Sequence, residues 1–166
     1  GAPRTMQDPK WLDGFSLLEK YDLSWDLRVP CWHLEEAAEV AKSFPRTRII
    51  LNHTGFPWDR SKDGLALWRY GMQALADMPN VHLKVSCLCL PDGPWTLEHN
   101  RPIVLEAIDI FGVDRCMFAS NYPVDGLRAS FDLIYASFKT IVAHFPRDDQ
   151  EKLFSRNAMA FYRIDT

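Results

Sequence analysis

The chain lacks most of the features that would place it quickly. Its four cysteines, Cys31, Cys87, Cys89 and Cys116, lie inside or just beyond apolar runs, and no two stand in CxxC spacing. That argues against a disulfide framework and predicts reduced, mostly buried thiols. No uninterrupted apolar stretch approaches the roughly 18 residues of a membrane-spanning helix. The opening GAPRTMQDPK has no apolar core of the signal-peptide kind, so the expectation is a cytoplasmic protein with no membrane partner. Lysine and arginine nowhere cluster, and 19 of them against 22 acidic residues leave a net charge of -3. Such a chain presents no basic field, and nucleic acid is not an expected partner. No GxGxxG follows any apolar run, which weighs against a doubly wound nucleotide-binding domain.

What is present is ordinary globular material: 166 residues, 47% apolar and 25% charged. This is about one domain's worth of chain, able to bury roughly two-thirds of its unfolded surface. Two kinds of pattern alternate along it. Asp8 then Pro9 reads as a helix start, with Trp11, Phe15 and Leu18 at helical spacing, so residues 8–21 are predicted helical. LSWDLRVPC at 23–31 is β-type. Residues 34–44 group Leu34, Ala38 and Ala41 on one face and stop at Pro45. RIILNH at 48–53 is a strand, 63–78 a helix and VHLKVSCL at 81–88 a strand. A loop with Pro91, Gly93 and Pro94 follows, then a helix at 98–111 and a strand at 115–120. Helices over about 127–144 and 147–162 complete the pattern. Four strands, each followed by a helix, are consecutive βαβ units with a parallel sheet, so the fold class is α/β. RIIL and CMFA read as the near-continuous apolar runs of strands covered on both faces.

In parallel sheets of this kind ligands bind beyond the carboxyl ends of the strands. The residues there are Cys31, Trp32 and His33; Asn52, His53 and Thr54; Ser86 and Cys87; and Ser120, Asn121 and Tyr122. Two histidines among amides and hydroxyls suit hydrolysis or metal binding, because a neutral imidazole can ligate a metal or move a proton. Each has a plainer alternative: His53 donating to a loop carbonyl, His33 facing the first turn of the next helix. His82, His99 and His144 fall away from this rim and are read as structural. Asp26 lies inside the first strand, facing either way. Asp125 is the one acid near the fourth rim position and is either a site residue or a helix cap. Trp58, Trp95 and Tyr122 either wall a pocket or cover the loops.

The strings RIILNHTGFP, NVHLKVSCL, DRCMFASNYPVD and SRNAMAFYRI, preceded by DPKWLDGFSLLEKYDLSWDLRV, resemble in order and spacing the last four βα units of the amidohydrolase-related family. Its lactonase-like members are TIM-barrel hydrolases acting on sugar lactones and pyrone dicarboxylates. The resemblance implies that His53 is the active-site histidine of the family's HTG-type motif and that His33 matches a histidine after the preceding strand. These two are the candidate metal ligands, with zinc or manganese as the expected ion if the site uses one. It also implies that Asn121 stands at the position of the catalytic acid of an SDxP-type motif.

Two departures bear on function. The barrel has eight strands and a His-x-His motif on its first, whereas this chain has four strands and no such motif. It resembles the C-terminal half of a (β/α)8 barrel, which would leave two open edges. Either an N-terminal half-barrel lies outside this sequence or two copies join as a homodimer. Asn121, moreover, cannot accept a proton as a carboxylate does, though SNxP variants occur in the family. The expected activity is opening of a lactone or similar cyclic ester or amide. His53 would polarise the carbonyl or bind metal, while Asn121, Ser120, Tyr122, Trp58 and His33 position the small-molecule substrate. Asp125, or an acid from the other half, would serve as base. The competing expectation is a non-catalytic half-barrel fragment or scaffold that assembles through its edges.

Overall fold

Helix starts follow side-chain chemistry closely. Asp8 accepts a hydrogen bond from the Lys10 backbone N–H at 2.8 Å and opens α1, Pro9–Lys20, with Pro9 in its first turn. Ser61 does the same through Gly64 for α3, Lys62–Ala76, and Thr96 through His99 for α4, Leu97–Phe111. α2 spans Leu34–Ser43. The helix predicted from residue 127 begins later. Residues Val124–Leu127 form a 3-10 turn, and Ser130 caps α5, Phe131–Ile141, by accepting from Leu133. The last helical stretch runs from α6, Arg147–Glu151, through a π-turn at Lys152–Arg156 into α7, Asn157–Tyr162.

The computed structural model describes residues 5–90 and 93–164; the expectations for residues 1–4 and for Pro91 lie outside them. Strands β1 (Ser24–Leu27), β2 (Arg48–Leu51), β3 (Val81–Val85) and β4 (Cys116–Phe118) make one sheet in the order β1-β2-β3-β4. All three pairings are parallel. Strand neighbours are chain neighbours, the arrangement of a barrel wall. A doubly wound sheet would reverse its order at a switch point. β1 is shorter than its predicted run because Pro30 starts a 3-10 turn at Cys31–His33.

The pleat divides the strand side chains between two faces. Ile49, Leu51, Val81, Leu83 and Val85 enter the main core beneath the helices, together with Leu34, Trp68, Met72 and Val104. Ile50 and Met117 face the other way and meet Phe161 of α7. Gly71 lets α3 approach α2: a Cβ there would stand 2.7 Å from the Leu34 Cβ. No described helix is long and apolar enough to cross a membrane.

Candidate active site at the carboxyl rim

Seven non-glycine residues among those described have positive φ, and five lie just beyond three adjacent strands: His53, Thr54 and Phe56 after β2, Cys87 after β3 and Asn121 after β4. A left-handed backbone costs a Cβ-bearing residue about 1–2 kcal/mol. Such strain persists only where the surroundings over-determine it. At β2 they do. Thr54 is fully buried, and its hydroxyl donates to the Ser86 carbonyl at 2.8 Å while accepting from the Ser86 N–H at 3.0 Å. The Trp68 indole donates to the Thr54 carbonyl at 2.8 Å. The loops after β2 and β3 are thereby locked together.

This lock aims His53. Its Nδ1 lies 3.1 Å from Ser86 Oγ, and its ring packs on Phe56, which in turn packs on Trp58. Arg28 sits 5.2 Å above the Phe56 ring. Burial holds the imidazole down to about 4, and the positive charges of Arg28 and Lys84 push the same way against Asp26. His53 is therefore neutral near pH 7.

Asp125, left open between cap and site residue, is 3% exposed. Its Oδ1 accepts from Asn121 Nδ2 at 2.7 Å, and its carboxylate also accepts from the Leu88 N–H and the Cys89 thiol. Burial raises its pKa, and these three donors oppose the rise. The same carboxylate, after burial itself, helps push the Cys87 thiol up to about 11 and Cys89 up to about 12, so both are protonated, weak nucleophiles. Of the four cysteines, all reduced, Cys116 alone is fully buried.

The remaining expected residues separate into two groups. Ser120 accepts from the Tyr122 N–H at 3.1 Å, and the Tyr122 ring is 55% exposed beside Phe131. Trp58 is 41% exposed, whereas Trp95 is buried against Phe138 and covers the core. His33 turns from the rim centre: its Nδ1 meets Glu36 Oε2 at 3.3 Å, in the first turn of α2. No hydrogen bond or ring contact joins it to His53 among the described residues.

Below the rim, Asp26 faces the side of the sheet away from the main core. It accepts from Lys84 Nζ at 3.0 Å, from the Tyr162 hydroxyl at 3.2 Å and from Asn52 Nδ2 at 3.4 Å. The single signal for Lys84 was its place in VHLKV, a cation alternating with apolar residues. Its reach across two strands to Asp26 follows only from the register. Among the described residues, no three His, Cys, Asp or Glu side chains converge as a metal would require. His53 offers one neutral nitrogen, and this chain's own donors form no complete ligand set.

The model of a family described as amidohydrolase matches residues 4–164. An uncharacterised protein, y4mH, of Sinorhizobium fredii is 45% identical over 98% of this chain and 54% of its own length. An L-fucono-1,5-lactonase of Burkholderia ambifaria is 32% identical over 96% of this chain and 59% of its own. The crystal structure of an amidohydrolase from Burkholderia multivorans with bound zinc superposes with a TM-score of 0.90 at 25% identity. It covers 96% of this chain and 59% of that one. The chain thus spans a little over half the length of the relatives it matches.

Proposed function

Since the chain belongs to the amidohydrolase family, we propose that the carboxyl rim of its sheet is one side of a hydrolytic site that opens a small lactone with water. One observation carries the reading: left-handed His53, Cys87 and Asn121 stand side by side at three strand ends, with a neutral histidine and a buried carboxylate among them. The similarity to an L-fucono-1,5-lactonase supports a sugar lactone as the substrate class.

The chemistry assigns itself by protonation state. His53 Nδ1 lies 3.1 Å from Ser86 Oγ, and we assign the tautomer in which the Ser86 hydroxyl donates to Nδ1 and the Nε2 proton is the donor to the lactone carbonyl oxygen. Water attacks the carbonyl carbon. The new C–O bond forms as the ring ester C–O bond breaks, and a hydroxy acid results. Asp125 takes the proton from the attacking water and returns it to the departing ring oxygen. Burial raises its pKa, the direction that favours taking up a proton. Asn121 holds Asp125 in place, while Ser120, Tyr122 and Trp58 border the substrate. No step is assigned to a metal ion, and His33 is left out because Glu36 engages it.

The outer edges of β1 and β4 are where a complementary half-sheet, an N-terminal segment or a second copy, would close the barrel. The test is hydrolysis of L-fucono-1,5-lactone by the full-length protein that contains this chain. His53→Ala and Asp125→Asn should each lower kcat by about 10²-fold or more. Unaltered turnover in both would end the proposal. Activity of the isolated 166-residue chain at monomer mass would remove the need for its edges to pair.

A further inference from the structure

The chemistry assigned to the rim leaves Arg28 without a role. It follows β1, where Leu27 and Val29 pack into the main core and Asp26 faces the other side of the sheet toward Lys84. The Asn52 N–H still donates to the Leu27 carbonyl at 2.9 Å, so the extended pairing reaches this point. The pleat therefore turns the Arg28 side chain to the same side as Asp26, one step nearer the rim. There the guanidinium stands 5.2 Å over the Phe56 ring, and Phe56 itself packs against His53 at 5.2 Å between centroids. Arg28 and His53 thus share one aromatic neighbour.

Among the described residues no carboxylate lies within ion-pair distance of Arg28, and no hydrogen bond engages it. The acids near it are already committed. Asp26 holds Lys84 at 3.0 Å, while Asp125 accepts from Asn121, the Leu88 N–H and the Cys89 thiol. Arg28 is exposed, and its charge acts on the centre of the rim. After burial it is the largest influence holding His53 down, and it opposes the rise that burial and Asp125 impose on Cys87. A cation with its donors unspent, beside a neutral histidine, draws an anionic group into the site.

We infer that Arg28 is a specificity residue that selects a lactone carrying a free carboxylate, which its guanidinium binds while the ring carbonyl lies on His53. The inference rests on the lactone reading of this rim and adds the charge of the substrate to it. A guanidinium offers a carboxylate two parallel N–H bonds, a match of direction as well as of charge. Because Phe56 flanks both Arg28 and His53, the carboxylate belongs on the sugar chain away from the reacting carbonyl, as in the monolactone of a sugar diacid. A neutral sugar lactone leaves the guanidinium to water and gains nothing from it. Discrimination of this kind comes from a polar group that only one substrate satisfies.

The experiment compares D-glucaro-1,4-lactone with D-glucono-1,4-lactone on the full-length protein that contains this chain. The two share one ring and differ by a carboxylate against a hydroxymethyl group. The charged lactone should be favoured in kcat/KM by about 10-fold or more, and the preference should shrink as salt is raised. Arg28→Gln should lower the charged-to-neutral ratio about 10-fold or more, and Arg28→Lys, which keeps the charge without the fork, should fall between. No preference in wild type, or an equal loss on both lactones in Arg28→Gln, would overturn the inference and leave the lactone reading standing. If neither these nor L-fucono-1,5-lactone turn over, the lactone reading fails and calorimetry decides the carboxylate subsite. Saturable binding of D-glucaro-1,4-lactone that Arg28→Gln weakens about 10-fold or more would keep the subsite. Binding that the variant leaves unchanged, or no binding, would remove it.

Discussion

The two ends of this sheet solve opposite problems with the same backbone. At the amino end, polar side chains close carbonyls. Asn80 Nδ2 donates to Ala41, Phe44 and Thr47, and Asn157 Nδ2 donates to Val113 and Cys116. Arg115 donates to Ala76, Met78, Val81 and Phe111. Every one of these donors ends on a main-chain oxygen at a helix end, a strand start or the turn between them. At the carboxyl end, five non-glycine residues sit in left-handed conformations and the imidazole of His53 is kept from charging. One end spends its side chains on satisfaction and the other holds strain and a shifted titration. That difference locates the chemistry without any reference to a ligand.

The comparison breaks most severely if the amino end is cut. Arg115→Met keeps much of the aliphatic stem but removes four hydrogen bonds donated to main-chain carbonyls, at about 3 kcal/mol of stability for a loss of this kind. Denaturant unfolding at pH 7 should register that loss, while kcat of the folded full-length variant stays within about 2-fold of wild type. A large fall in kcat at intact stability would mean that the two ends do not divide their labour in this way.

The alternation of helices and strands was legible because its periods are local: RIIL and the α2 pattern each declare themselves within a turn or two. The start of α5 was not, since the Asp125–Ser130 stretch offers two competing caps and the choice depends on Asp125 being drawn to Asn121. His53 could be found from its place after an apolar run. Its alignment by Ser86, and the charges of Arg28 and Lys84 around it, arise from loops and strands brought together by register. His33 carries the same sequence signal as His53, and its contact with Glu36 was one of two orientations the spacing allowed.

A milder break is possible at the rim itself. Gly55 has φ +65, and a Cβ there would meet Met72 Sδ at 2.8 Å and Leu34 Cδ1 at 3.2 Å. Gly55→Ala should cost about 2 kcal/mol by combining left-handed strain with overpacking. Because Gly55 follows the residues that aim His53, kcat should fall as well, by about 10-fold. A variant equally destabilised but fully active would show that the rim tolerates a shift in this loop.

The smallest effect is also the most specific. His82 lies in β3 on the face away from the main core, against Phe161 at 5.0 Å, with Nδ1 buried and unpartnered. Burial lowers its pKa, and Arg115 and Arg48 reinforce the direction. A histidine whose folded pKa lies below its unfolded value of 6.5 binds fewer protons when folded. Its contribution is complete above pH 6.5 and is lost as the pH falls toward the folded value. His53 has the same sign and loses its contribution between pH 6.5 and about 4. His82→Leu removes one of these two acid-sensitive terms and also the unpartnered nitrogen. It should therefore flatten the fall in stability between pH 7 and pH 5 by less than about 1 kcal/mol, solvent screening being appreciable at a half-buried group. His53→Ala should flatten the same limb and abolish activity, whereas His82→Leu leaves activity in place. Thermal melts at pH 7, 6 and 5 separate the cases: curves parallel to wild type for His82→Leu would mean that its imidazole charges freely in the fold, and that desolvation at the rim alone sets the acid limb.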